Sequence, residues 1–86
     1  MEERKRLVSE ESERRKQAVL DLLLKVMQAT RTGADVTALR YDPYDETVHV
    51  DFAGNGGQII KDGRIINVAL DSEWAMVKDV VKHADL

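Results

Sequence analysis

The run Ala18-Val19-Leu20-Asp21-Leu22-Leu23-Leu24-Lys25-Val26-Met27-Gln28-Ala29 decides the fold. Read as a helix, it places its polar members Asp21, Lys25 and Gln28 at i, i+4 and i+7, so they share one narrow strip and apolar side chains cover the rest. Val19, Leu22, Leu23 and Val26 face one way; Leu20, Leu24 and Met27 face another. One stripe is enough to seat a helix on a small sheet. The second is surplus and points to a helix held between its own domain and a partner, most simply a second copy of the chain. Leu20, Leu24 and Met27 are therefore the expected subunit interface.

Upstream, residues 2–17 are dominated by charge. Glu2 and Arg6, Glu10 and Arg14, and Glu11 and Arg15 each place the acid four residues before the base, an arrangement that favours helix by about 0.2–0.5 kcal/mol per pair. The spacing predicts a charged helical arm over 1–17, distinct from a single α+β domain over 18–86. Arg14 and Arg15 are its candidate partner contacts. Arg31 followed by Gly33 closes the long helix.

Downstream, the period changes from helical to two. Val36, Leu39 and Tyr41 suggest a first strand over 36–41, and Asp42-Pro43-Tyr44-Asp45 is a turn in which Asp42 bonds the backbone ahead of it. In 47–53, Val48, Val50 and Phe52 alternate with His49 and Asp51, the cleanest strand pattern in the chain. Gly54-Asn55-Gly56-Gly57 interrupts it and reads as a hairpin connection. Asp62-Gly63, between two isoleucine pairs, is a two-residue hairpin signal that would pair Ile60 with Ile65 and Ile59 with Ile66. Both faces of that hairpin are apolar, so Ile59 and Ile66 join the expected interface, with cover from the first helix or a neighbouring subunit. Without the hairpin, 58–68 is one strand. Asp71 or Ser72 caps a last helix in which Trp74, Val77, Val81 and Ala84 form the main stripe, with Trp74 and Val77 set against the sheet. The predicted fold is α+β: a small antiparallel meander of three or four strands flanked by a long N-terminal helix and a C-terminal helix, in the order α-β-β-β(-β)-α.

A chain of 86 residues buries only about 60% of its unfolded surface. It has no cysteine to supplement the core with disulfides or a thiolate metal site, which leaves oligomerisation as the ordinary route to extra stability. No run approaches a membrane span, and Met-Glu-Glu-Arg-Lys-Arg lacks the apolar core of a secretion signal, so a cytoplasmic, membrane-free protein is expected. Residues 1–32 carry eight Lys/Arg against six Asp/Glu, whereas residues 33–86 carry five against ten. The halves are mildly complementary.

Chemistry is thinly represented. Ser9, Ser12 and Ser72 stand in no glycine-rich elbow, so no catalytic residue is assigned and an enzyme is not expected. His49 and Asp51 share the outward side of one strand and offer two metal ligands, but the sequence shows no third; they read as an exposed polar face, and no metal or cofactor is expected. The glycine loop lacks the Lys-Ser/Thr of a P-loop. A small ligand at a subunit seam would draw on Arg40, Tyr41 and Arg64 beside that loop.

The order α-β-β-β-α from Ala18 onward resembles the double-stranded-RNA-binding domain. In that family the last helix begins with basic residues that meet phosphates. Here the corresponding residues are Asp71-Ser72-Glu73-Trp74-Ala75, acidic where the family is basic, which makes nucleic acid the alternative rather than the leading partner. Ile66-Asn67-Val68, Asp71-Ser72, Ala75-Met76 and Asp79-Val80 together resemble the ending of small phage and mobile-element proteins of bacteria. That resemblance implies a stoichiometric inhibitor of a host defence system, which occludes a protein or sequesters a small ligand in the host cytoplasm. The leading expectation is thus a non-enzymatic homo-oligomer, a dimer being the simplest, that works by binding.

Overall fold

The computed structural model describes residues 8–30 and 35–84. Its elements are α1 (Glu10–Thr30), β1 (Val36–Asp42), β2 (Thr47–Ala53), β3 (Ile59–Asn67) and α2 (Glu73–Ala84). The strands form one antiparallel sheet in the order β1-β2-β3, so the architecture is α-β-β-β-α. Residues 1–7 of the expected arm, and Arg31 and Gly33 at the expected end of the first helix, lie outside the described residues.

Ser9 starts α1: its hydroxyl accepts from the Ser12 amide at 3.1 Å and its carbonyl from the Glu13 amide at 2.9 Å. The helix then runs unbroken through residue 17, and the residues assigned to the end of the arm pack into the body. Lys16 is buried, its ammonium donating to the Asp71 carbonyl at 3.1 Å and standing 5.2 Å from the Tyr41 ring centre. Gln17 lies along β1, donating to the Leu39 carbonyl and accepting from the Tyr41 amide, both at 2.9 Å. Gln28 donates to the Val36 carbonyl at 3.2 Å. These two side chains supply β1 with hydrogen bonds on the flank that no strand pairs, and so blunt an edge that would otherwise invite another strand.

Both helices lie on one face of the sheet, rather than on opposite faces. Leu20 and Met27 of α1 and Met76 and Val80 of α2 meet Leu39, Val48, Val50, Phe52, Ile66 and Val68 in a single core. This overturns the division of the first helix. Leu20, at 0% exposure, and Met27 belong to the chain's own core, Leu24 packs half-buried beside them, and the solvent-facing apolar residues are Leu22 and Val26. Ile66 is core as well, whereas Ile59 remains exposed. The last helix is turned by about a quarter of its circumference from the expected phase: Met76 and Val80 are fully buried and Trp74 faces outward.

Gly54–Gly57 connects β2 to β3, closed by the Gly54 amide on the Gln58 carbonyl at 2.6 Å, with Gly56 and Gly57 both at φ 82°. Asp62-Gly63 does not make a hairpin. It is a bulge inside the continuous strand β3: the register passes from Val50 opposite Arg64 to Phe52 opposite Ile60, and Asp62 takes φ 52°. Val48 pairs with Ile66 and His49 with Ile65, so the expected pairing of isoleucine with isoleucine does not form.

Candidate functional site

Asn67 Oδ1 accepts from the Ala69 amide at 2.8 Å, and the Asp71 amide donates to the Val68 carbonyl at 3.1 Å, closing the turn between β3 and α2. Leu70 occupies the third position of that turn at φ 66° and is 97% exposed. Directly after it, Ser72 caps α2, its hydroxyl accepting from the Ala75 amide at 3.1 Å. The cap fixes the phase of the first turn and leaves Trp74 73% exposed. Leu70 and Trp74 thus project from one corner, framed by Asp71 and Glu73. Ile59, Ile60 and Ile65 on β3 are also exposed.

Asp71 is anchored beneath this corner by the Lys16 contact with its carbonyl. Its carboxyl is pushed above the usual carboxylate range, first by a hydrogen bond with Asp79, then by burial and by the Asp79 charge, with Lys16 opposing. The geometry thus favours a protonated carboxyl at Asp71 more than water does.

The face of the sheet away from the helices carries a different site. Arg40 donates to Asp51 at 2.8 Å and to Asp62 at 2.6 Å, joining all three strands. Asp51 also accepts from the Asp62 amide at 2.9 Å. That bond to the bulge is the largest cause of a lowered Asp51 pKa, and Arg40 adds to it against the effect of burial. His49 sits beside this network, its Nδ1 3.1 Å from Asp62 Oδ1 and its Nε2 3.0 Å from Thr47 Oγ1. Thr47 donates its hydroxyl to Asp45 at 2.5 Å, and Asp42 Oδ2 lies 3.9 Å from Nε2. One ligand atom from each of Asp42, Asp45 and His49 falls within 4.8 Å of the others. An open depression of about 390 Å³ here is lined by Arg40, Tyr41, Asp42, Pro43, Tyr44 and His49.

The proposed ligand contacts do not converge. Arg14 and Arg15 are exposed on α1, Arg15 pairing with Glu11 at 2.6 Å. Arg40 is engaged on the outer face, and Tyr41 is buried on the helix side, although both line the same depression. Arg64 lines a separate groove of about 240 Å³ with Ile65, Ile66, Asn67 and His83. Asp51, paired with His49 in the sequence reading as a two-ligand face, is committed to Arg40 and the bulge.

Leu70 had no signal beyond being an apolar residue in a turn. Trp74 had the cap spacing, which sets the helix phase but not the tilt that decides which phase is buried. No family model, no curated protein and no solved structure matches this chain.

Proposed function

We propose that this chain is a non-enzymatic binding protein that self-associates through the corner formed by Leu70 and Trp74, extended along the exposed isoleucines of β3. The observation that carries this reading is the exposure of Leu70, in the turn before α2, and of Trp74, four residues on in the capped first turn of that helix. Exposed tryptophan is costly to a free monomer and characteristic of the centre of an interface, where a buried aromatic anchor commonly supplies 2 kcal/mol or more, by order of magnitude. The small core and the lack of cysteine supply the need for a partner. Occlusion of a host protein, the role implied by the phage-protein resemblance, would use the same surface after or instead of self-pairing.

Sedimentation velocity over a concentration series tests it. The expected result is a dimer for the native chain and a shift toward monomer for Trp74→Ala, with the helical content of both unchanged. A native chain that stays monomeric at the highest concentration refutes self-association.

Duplex RNA remains the second reading because the α-β-β-β-α order is the one it requires. Asp71 and Glu73 at the start of α2 oppose phosphate contact. Binding to duplex RNA that falls steeply with salt would favour it.

A further inference from the structure

We infer that the partner at the Leu70–Trp74 corner is a second copy of this chain, placed by a two-fold axis beside the middle of α2, so that each copy's corner enters the groove between β3 and the last turn of the other's α2. This placement rests on the self-association proposed above and adds where each corner goes. The groove, about 240 Å³, is lined by Arg64, Ile65, Ile66 and Asn67 of β3 and by His83 of α2. Its floor is apolar, with Ile65 56% exposed. Its rim is cationic, since Arg64 and His83 line it and Lys82 is exposed next to His83. Among the described residues no hydrogen bond or ion pair engages any of these three cations. The corner has the opposite character: Leu70 and Trp74 project from it, and, with Asp71 Oδ2 buried, Glu73 is the acid beside the indole.

Two features single out a copy of this chain rather than a different protein. First, the one molecule carries both halves of the contact, an apolar knob with an acid and an apolar groove with cations, which is what a self-complementary interface requires. Arg64 and Lys82 at the rim also suit the face of an indole. Second, the halves lie at opposite ends of one helix, Trp74 in the first turn of α2 and His83 in the last, about 13–14 Å apart along the axis. A chain therefore cannot bury its own Trp74 in its own groove. A copy turned by 180° runs its α2 antiparallel to the first and fills both grooves with both corners at once, whereas a head-to-tail row leaves one corner and one groove open at its ends. Lys78, exposed midway along the helix, lies nearest the axis, and its long stem lets the two ammonium groups part into water.

Charge exchange in the full chain, read by sedimentation over a concentration series, tests the placement. Glu73→Lys alone and Arg64→Glu alone should each dimerise about tenfold or more weakly than the native chain, because both contacts of either dimer then oppose like charges. Added salt should narrow the gap. Mixed one to one, the two variants should associate with near-native affinity, since both contacts of the mixed dimer are again of opposite sign. Circular dichroism checks the fold, and His83→Glu, at another exposed position, replaces Arg64→Glu if that variant loses helical content. A native chain that stays monomeric removes the self-association itself. A native dimer that Trp74→Ala weakens, but whose charge variants dimerise as the native chain does or gain nothing on mixing, leaves self-association standing and overturns this placement.

Discussion

Leu70 carries two costs in the free chain: a left-handed backbone at φ 66° and an aliphatic side chain almost wholly in water. The backbone conformation alone costs a non-glycine residue about 1–2 kcal/mol. Leu70→Gly should therefore raise the stability of a monomer by about 1 kcal/mol in urea unfolding while weakening self-association. A fall in stability at low protein concentration would mean that Leu70 packs within its own chain. Gly63 is under the opposite constraint, since a Cβ there would lie 2.6 Å from Phe52 Cδ2, and Phe52 is buried. Gly63→Ala should cost about 1–3 kcal/mol in the same measurement, and a neutral result would show that the ring has room to move. At this scale the sequence was legible where a side chain serves its own backbone, as with the Ser72 cap and the Asp42 turn. It was silent on Leu70, whose φ is imposed by closure of the turn onto α2.

Asp62-Gly63 shows how an element overrides a local signal. The pair favours a tight turn, yet Asp51 satisfies the Asp62 amide from the neighbouring strand and Arg40 holds both carboxylates, so the same residues become a bulge in a continuous β3. The bulge makes a pH prediction. The folded pKa of Asp51 lies below its usual 3.8. Its contribution is thus fully present above that value and is lost as pH falls through it toward the folded pKa. Asp71 has the opposite sign: its raised pKa means that stability is lost as pH rises through the folded value. The difference between native and Asp51→Asn unfolding free energies should therefore be largest near neutral pH and shrink below pH 4, and a difference that stays constant across this range would contradict the assignment. The helices yielded less to inspection. Two apolar stripes were visible on α1, but the choice between them rests on Gln17 and Gln28 meeting the edge of β1, a long-range contact that periodicity does not encode. On α2 the same limit hid Trp74, because bulk and hydrophobicity marked it for the core.

For the molecule as a whole, the alternation in 47–53 and the helical runs at either end were enough to give the α+β class and a meander between two helices in sequence, while the strand count, left at three or four by the Asp62-Gly63 signal, is three. Among the described residues no helix is long and apolar enough to cross a membrane. The surplus of apolar surface read from the sequence is present, but it is displaced from Leu20 and Met27 to Leu22, Val26, the isoleucines of β3 and the Leu70–Trp74 corner. A stable dimer interface takes on the order of 800 Å² from each partner, more than the corner alone presents, so the β3 isoleucines are expected to be part of it. Trp74 is the only tryptophan in the chain, which makes its fluorescence a direct report on that corner. The emission maximum measured over a dilution series should lie toward the blue at high concentration and move to the red as the partner dissociates and the indole enters water. A maximum that stays at the red, water-exposed position from the lowest to the highest concentration would contradict self-association through Trp74.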